Sequence, residues 1–253
     1  VSCIYGIGAP ETYRGLSVEL APGDALSRDA LVAGLVEMQY QRNDVDFTRG
    51  TFRVRGDVVD VFPAYETDRA VRVEFFGDEI EALSEIDPLR GVVLRKLRRT
   101  AVFPGSHYAA TRATMEAAAE TIRAELEERL RELRGAGQEL YAQRLEQRTR
   151  YDLEMLLETG YCSGIENYSR HLDGRAPGEP PHTLISYFPD DFLLVVDESH
   201  MSIPQVGAMF KGDRSRKDKL VEYGFRLPCA RVNRPRPFEE FEGRVGQVIY
   251  VSA

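Results

Sequence analysis

The chain has 253 residues, with 33 Lys and Arg against 41 Asp and Glu, so its formal net charge is −8. Hydrophobic residues make up 43% and charged residues 29%, which excludes a globally disordered chain, and the acidic balance excludes a uniformly basic coat for nucleic acid. No apolar run approaches the roughly 20 residues that cross a bilayer, and no secretory signal is visible, which predicts a cytoplasmic protein with no membrane partner.

The cysteines and histidines do not show the spacing of a metal site. The three cysteines are odd in number and far apart, at Cys3, Cys162 and Cys229. This pattern predicts neither a disulfide framework nor a zinc site, and it favours a reducing cytosol. We interpret His107, His171 and His182 as surface or packing residues, because none has a partner at metal-ligand spacing.

The two ends of the sequence resemble interrupted strands. Residues 1–6 and 247–253 are apolar and have neither a cap nor a polar tail. Val248–Val251 is typical of a buried parallel strand, which has neighbours on both sides. We therefore expect the chain to be an internal segment of a longer polypeptide.

The first hundred residues predict a small α+β module. Residues 1–15 read as a strand end followed by a Gly-rich loop, and the module extends from Leu16 to about Pro104. Ser27 is predicted to cap a helix, because Asp29 follows in the first turn and apolar residues recur at helical spacing. A basic run at 95–99 is predicted to be a solvated edge strand.

Alternating apolar and polar residues predict a sheet with one charged face. The predicted strands are Thr51–Arg55, Val58–Phe62 and Ala70–Phe76. Since side chains alternate along a strand, the apolar positions share one face, and the other face holds Arg53, Arg55, Arg72 and Glu74. This face is either a solvated outer surface or a protein-docking surface, where arginine offers bidentate pairing that lysine does not.

A helical region and an α/β region follow. Residues 111–159 are predicted to be helical, with a break at Gly135 and Gly137. One apolar stripe recurs at three- and four-residue spacing: Met115, Ala119, Ile122, Leu126, Leu130 and Leu133. Residues 161–181 read as loops, and residues 184–253 alternate apolar strands with helices, as in an α/β sheet.

The sharpest local signal is Phe192–His200. Five apolar residues predict a parallel strand buried on both faces, and Asp197 and Glu198 follow at its carboxyl end, where open α/β sheets bind ligands. In nucleoside triphosphatases such an Asp holds Mg²⁺ through water, and the next Glu orients the attacking water. The alternative is an acidic turn after an ordinary strand. Ser252, after a second apolar strand, favours the nucleotide interpretation.

Two further patterns bear on ligands. The sequence has no G-x-x-x-x-G-K-[ST] loop, so we expect the chain on its own not to turn over ATP. Several basic residues either contact phosphates or form surface ion pairs, and both interpretations stay open. They are Arg144, Arg148, Arg150, Arg170, Arg214, Arg216, Lys217 and Arg226.

Six stretches of the chain closely resemble the UvrB family, a component of the bacterial excinuclease. They are Gln39–Asp44, Arg49–Asp57, Gln147–Met155, Gly160–Arg170, Val196–His200 and Gly224–Pro228. The likeness runs collinearly over essentially the whole chain. It implies an ATP-dependent, helicase-like protein that verifies DNA damage in nucleotide excision repair, is delivered to DNA by UvrA and recruits the nuclease UvrC.

The resemblance implies a multidomain fold of mixed α/β and α+β class. It implies a partial RecA-like P-loop helicase domain that carries an inserted α+β UvrA-binding domain and a helical subdomain. The implied boundaries are 1–15 for the end of the first motor segment, 16–107 for the UvrA-binding domain, 108–183 for the helical accessory subdomain and 184–253 for the return to the motor domain.

The resemblance also implies site residues. UvrA docking is implied for Arg42, Arg53, Arg55, Arg72 and Glu74. DNA contact is implied for Arg148 and Arg226. Asp197, Glu198 and His200 match the second helicase motif as catalytic residues, with Asp197 at an incomplete site for Mg²⁺, held through water, and ATP.

The chain departs from the family pattern by omission. The family's phosphate-binding loop, strand-separating β-hairpin, second motor domain and UvrC-contacting tail have no counterpart here, so neither ATP nor Mg²⁺ is expected to bind tightly. The alternative is the UvrA-binding module of a transcription-repair coupling factor, acting as an interaction adaptor. That module has degenerate motor motifs, whereas Asp197–His200 is intact here.

Overall fold

A computed structural model describes residues 2–252 and divides the chain into two compact units. One unit is Glu11–Thr111, and the other combines the residues up to Pro10 with those from Arg112 onward. Each unit contains both helices and strands, so the predicted mixed α/β class is confirmed. Val1, which begins the first predicted strand, and Ala253, which ends the last, lie outside the described residues.

The 11–111 unit is built on a six-stranded sheet. After α1 (Pro10–Gly15), its elements are β1 (Val18–Leu20), α2 (Arg28–Glu37), β2 (Gln41–Arg42), β3 (Thr51–Arg55), β4 (Val58–Phe62), β5 (Ala70–Phe76), β6 (Glu79–Ile86), β7 (Val93–Lys96) and β8 (Thr100–Val102). Strands β2 to β7 follow one another in sequence order, while β1 and β8 form a separate antiparallel pair. Strands β3, β4 and β5 have the bounds that the alternation predicted.

One face of this sheet makes the hydrophobic core of the unit. Phe52, Val59 and Val73 are fully buried and pack in one cluster with Leu31 and Leu35 of α2. The predicted cap of α2 is confirmed, because the Ser27 side chain accepts a hydrogen bond from the backbone N–H of Ala30 at 3.2 Å. Strand β7 is an exposed edge strand, as the basic run predicted for Arg95 and Lys96.

The second unit is mainly helical. Its α-helices and strands are α3 (Arg112–Gly135), α4 (Glu139–Thr159), α5 (Ser169–Leu172), β9 (Leu193–Val196), α6 (Ser199–Glu222), α7 (Phe238–Glu242) and β10 (Gln247–Tyr250). Short 3₁₀ helices lie at Ser2–Ile4, Ile165–Tyr168, Leu184–Tyr187 and Pro228–Arg231. The predicted break at Gly135 and Gly137 is confirmed. None of the described helices combines the length and the apolar character needed to cross a bilayer.

The apolar stripe of α3 is buried throughout. Every stripe residue from Met115 to Leu133 is at most 4% exposed. Burial of a methionine, isoleucine or leucine side chain contributes roughly 1.5–3 kcal/mol. The stripe therefore stabilises the helical unit as the periodicity predicted.

Strands β9 and β10 differ from their predicted burial. They pair in parallel, with Val195 opposite Ile249, which confirms the two predicted parallel strands. However, Leu193 and Val195 of β9 are 53% and 55% exposed, and Ile249 and Tyr250 of β10 are 48% and 54% exposed. The prediction of buried strands is therefore wrong for both. The described sheet has two strands, and Leu194 packs against a core on one side only. The predicted strand at the start of the chain is also wrong, since Ser2–Ile4 is a 3₁₀ helix.

Candidate functional site

The pairing of β3, β4 and β5 aligns three charged residues in one row. Arg53 lies opposite Asp60, and Asp60 lies opposite Arg72. This row is on the face away from the core, because Phe52 and Val59, which precede Arg53 and Asp60, are core residues. Directly opposed residues in neighbouring strands have β-carbons about 4.5–5.5 Å apart. The three side chains therefore meet although they are separate in sequence.

Asp60 accepts hydrogen bonds from both arginines. Arg53 Nε and Nη2 each lie 2.9 Å from Asp60 Oδ2. Arg72 Nε donates to Oδ1 at 2.7 Å, and Arg72 Nη2 donates to Oδ2 at 3.0 Å. The hydrogen bond to Asp60 raises the pKa of Arg72 above its usual value. The guanidinium of Arg53 also lies over the ring of Phe47, 4.3 Å from its centroid.

The charged face is less solvated than the alternation predicted. The side chains of Arg53 and Arg72 are only 11% and 21% exposed, and that of Asp60 is 3% exposed. The placement of the arginines on the face opposite the core is confirmed. The prediction that Arg53 and Arg72 are freely exposed to solvent is wrong, because Asp60 draws both guanidinium groups onto the sheet. Arg55 is exposed and Glu74 is half-buried.

An apolar patch adjoins the charged row. Phe62, Ala70 and Ile86 are buried together with Phe47 packed against them. Phe47 and Phe62 also line a cleft of about 690 Å³, whose rim carries the exposed Leu89. Arg42, the remaining docking candidate, is exposed and forms an ion pair with Asp44 at 3.0 Å.

In the helical unit, a second buried carboxylate holds a candidate arginine. Arg148 Nε donates to Asp152 Oδ2 at 3.0 Å, and Tyr168 donates its hydroxyl to the same oxygen at 2.8 Å. Asp152 is 2% exposed. Burial opposes the charged form of Arg148, but the hydrogen bond and the charge of Asp152 raise its pKa above the usual value.

Arg148 and Arg226 are brought to one loop. Arg148 Nη2 donates to the backbone oxygen of Ser163 at 2.8 Å. A β-carbon on Gly164 would lie 3.5 Å from Arg226 Nη2. Arg226 is exposed. The two candidate DNA contacts are therefore neighbours although 78 positions separate them in the sequence numbering.

Several other basic residues form ion pairs within the chain: Arg150, Arg170, Arg214, Arg216 and Lys217. Lys217 is buried, pairs with Asp213 at 2.9 Å and donates to the backbone oxygen of Asn233, so the phosphate-contact interpretation is wrong for this residue. Arg144 lies over the ring of Phe225, 4.2 Å from its centroid.

His171 belongs to a cluster that its sequence neighbourhood does not reveal. Its Nε2 lies 2.8 Å from Glu125 Oε2, which also accepts from Arg170 at 2.5 Å. Glu125 Oε1 accepts from the backbone N–H of Cys229 at 2.6 Å. Ligand atoms of Glu125, His171 and Cys229 lie within 4.8 Å of one another. Arg170 shares this carboxylate, and burial raises the pKa of the Cys229 thiol. The hydrogen bonds of Glu125 thus join α3 to the segments that carry His171 and Cys229.

The carboxyl ends of β9 and β10 gather the residues of the second candidate site. Asp197 Oδ1 accepts from the backbone N–H of Glu198 at 2.9 Å. His200 Nδ1 lies 2.9 Å from Ser252 Oγ and 3.4 Å from Glu198 Oε2. Glu198 has a φ of +48°, a left-handed conformation that is uncommon for a residue other than glycine.

The donor set at this edge suits a hard cation. Asp197 and Glu198 are exposed and supply carboxylate oxygens, which are the ligands that Mg²⁺ prefers, usually with several waters retained. Ser252, which the sequence analysis took as support for a nucleotide site, is placed beside His200 by the parallel pairing.

Comparison with known proteins covers both units. A family model described as the UvrB interaction domain matches residues 18–108, and one described as the UvrB third helical domain matches residues 113–174. Along all 253 residues, the chain is 63% identical to "UvrABC system protein B" of Syntrophotalea carbinolica, 61% to that of Symbiobacterium thermophilum and 59% to that of Caldicellulosiruptor bescii. The chain belongs to the UvrB family.

The matches also set the extent of the likeness. The chain spans 38% of the length of each of these UvrB relatives and is itself covered completely. The resemblance read from the sequence motifs is thereby confirmed, and the shared name favours UvrB over the coupling-factor alternative. The UvrB interaction match contains the row of Arg53, Asp60 and Arg72, and the UvrB third helical match contains Arg148 and Asp152.

Asp60 and Phe47 were missed by the sequence analysis. A signal for Asp60 was present, because it is the one charged residue in the otherwise apolar strand Val58–Phe62, on the same face as the arginines. Phe47 lies in a loop, where no periodicity indicates which way its side chain packs.

Proposed function

We propose that this chain is the UvrA-binding and DNA-contacting part of the damage-verifying protein of bacterial nucleotide excision repair. The observation that carries the proposal is the row of Arg53, Asp60 and Arg72 on the sheet face opposite the core, within the region that matches a UvrB interaction domain. The relatives' shared name, UvrABC system protein B, supports a partner from the same system.

UvrA docks on the charged face through Arg53, Arg55, Arg72 and Glu74, and also contacts Arg42, which lies on β2 opposite Phe52 and not on that face. Guanidinium groups suit this role, because their planar donors match carboxylates bidentately. The mixture of positive residues with Glu74 favours a partner surface of complementary pattern, which raises specificity and association rate more than affinity alone. In this proposal residues 16–107 are the UvrA-binding domain.

DNA contacts come from the helical accessory subdomain, residues 108–183, and from Arg226. Arg148 and Arg226 lie at the same loop, at Ser163 and Gly164, and such a pair suits contacts to successive phosphates of one strand. UvrC recruitment is assigned to parts of the UvrB relatives that lie outside this chain.

Residues 1–15 and 184–253 belong to a RecA-like motor domain that uses ATP in the complete protein. When bound with ATP, Mg²⁺ neutralises charge that develops on the transferred phosphoryl group. Asp197 would hold this ion through water, and Glu198 would orient and deprotonate the attacking water. His200 links the edge to Ser252. The chain by itself is expected not to hydrolyse ATP.

Direct binding to UvrA tests the docking surface. The 253-residue chain and its double variant Arg53→Ala with Arg55→Ala are titrated against UvrA. We expect at least tenfold weaker binding of the variant, which corresponds to about 1.4 kcal/mol. Arg99→Ala is the matched control, because Arg99 lies in the same unit with a side chain 74% exposed, near β8. Equal affinities of the double variant and the wild type would remove the docking assignment.

A further inference from the structure

The acidic residue at the centre of the charged row has a role of its own. We infer that Asp60 is a positioning residue, which holds Arg53 and Arg72 side by side in the orientation that UvrA recognises. This inference rests on the proposed UvrA-docking function. It differs from that function because Asp60 itself, with a side chain 3% exposed, is hidden from a partner and acts through the two arginines.

The topology makes Asp60 the shared partner of both arginines. Strand β4 lies between β3 and β5, so its residue at position 60 has one arginine on each side. Both carboxylate oxygens are used: Oδ1 accepts from Arg72, and Oδ2 accepts from Arg53 and Arg72. Hydrogen bonds to a charged group are the stronger kind and also fix direction.

Without Asp60 the two guanidinium groups would repel each other. A β-carbon on Gly91 would lie 3.9 Å from Nη2 of Arg53 and 3.9 Å from Nη2 of Arg72, so both groups occupy the same small region. Their side chains are largely buried, and charges interact more strongly where water is excluded. Removal of the carboxylate between them leaves two like charges without the group that accepts hydrogen bonds from both.

Two further contacts restrict the arginines without compensating their charge, and the charge of Glu74 adds a smaller stabilisation to that of Asp60 at Arg72. The Phe47 ring lies under Arg53, and the backbone oxygen of Gly91 accepts from Arg72 Nη1 at 3.4 Å. Asp60 is thus the group that both fixes the two guanidinium groups and neutralises part of their charge. One carboxylate against two guanidinium groups leaves one net positive charge in the row. An acidic side chain of the partner would match this remaining charge, and arginines that are already ordered lose less side-chain freedom on binding.

The decisive variant is Asp60→Asn, which keeps the shape of the side chain and removes its charge. We expect its affinity for UvrA to fall at least tenfold. Val59→Ala is the control, because Val59 is the preceding residue of the same strand, is fully buried and faces the core. This variant lowers folding stability without touching the arginines, so we expect it to keep wild-type affinity at a temperature where both variants are folded.

A double-variant cycle separates positioning from an independent effect. If Asp60 acts through Arg53, then Arg53→Ala weakens binding less in the Asp60→Asn background than in the wild type. The inference would be overturned if the losses of affinity of the two single variants, Asp60→Asn and Arg53→Ala, multiply to give the loss of the double variant. Equal losses of affinity for Asp60→Asn and Val59→Ala would also overturn it.

The outcomes also separate this inference from the docking proposal. Wild-type affinity of Asp60→Asn, together with weak binding of the Arg53→Ala, Arg55→Ala double variant, would overturn positioning and leave docking in place. Should circular dichroism find Asp60→Asn unfolded, Asp60→Glu replaces it, since it keeps the charge but displaces both guanidinium groups by one methylene. Full affinity of Asp60→Glu would then overturn the inference.

Discussion

Replacement of Glu125 by glutamine is expected to destabilise the helical unit strongly. Glu125 lies on α3 with a side chain 13% exposed, and it accepts from Arg170, His171 and the backbone N–H of Cys229. Glu125→Gln leaves the guanidinium of Arg170, itself 17% exposed, without its carboxylate. Breaking a buried pair in this way costs about 3–5 kcal/mol. For a unit of about 150 residues, a loss at the lower end of this range corresponds to a melting temperature lower by about 6–12 °C.

The same residue predicts a pH dependence. Burial favours the neutral acid, but the hydrogen bonds from His171 and from the backbone of Cys229 outweigh it and hold the pKa of Glu125 below its usual 4.5. A carboxyl whose pKa is lower in the folded state stabilises that state fully above pH 4.5, and this contribution is lost as the pH falls through the folded pKa. The difference between wild type and Glu125→Gln should therefore be greatest near neutral pH and shrink below pH 4.5.

Calorimetry with hydrogen exchange measures this effect in the right unit. The chain has two compact units, so a single melting temperature is insufficient, and exchange of the α3 amides reports the helical unit directly. Glu127→Gln is the matched control, because Glu127 is exposed on the same helix. A loss for Glu125→Gln within about 0.5 kcal/mol of the control, the range of ordinary surface substitutions, would refute the reasoning.

Three further substitutions or reactions test other parts of the structure. Gly224→Ala should lower the free energy of unfolding by about 2 kcal/mol or more in a denaturant titration, because Gly224 has φ +70° and a β-carbon there would overlap the backbone oxygen of Tyr141. An unchanged free energy of unfolding would contradict this. Alkylation at pH 8 should label Cys3 before Cys162, because burial raises the pKa of the Cys162 thiol to about 12; the reverse order would be inconsistent with the structure. In a UvrB protein of full length, Glu198→Gln should slow ATP hydrolysis about a hundredfold or more, and an unchanged turnover number would reject the assignment of Glu198.

The predictions that succeeded rest on local periodicity. Alternation along β3 to β5 located the strands and separated the core face from the charged face, since successive side chains of a strand point to opposite sides. The spacing of the stripe from Met115 to Leu133 located α3 and its buried side for the corresponding helical reason. Both patterns are properties of a few consecutive residues, so no knowledge of distant contacts was needed.

Burial of β9 could not be read from its apolar sequence. An apolar run is compatible with burial on both faces, but burial depends on which other segments pack against each face. In this chain Leu194 packs against a core cluster, whereas Leu193 and Val195 on the other face are largely exposed.

The amino-acid sequence by itself determined which residue types line each element and that the chain resembles the UvrB family. Only the tertiary structure decided that Asp60 stands between Arg53 and Arg72, and that Glu125 meets His171 and Cys229, which are 46 and 104 residues away. The reason is physical: strand register and helix packing bring distant side chains within hydrogen-bonding distance, and the burial that follows decides whether an arginine is a solvated surface group or part of a fixed, partly neutralised pair.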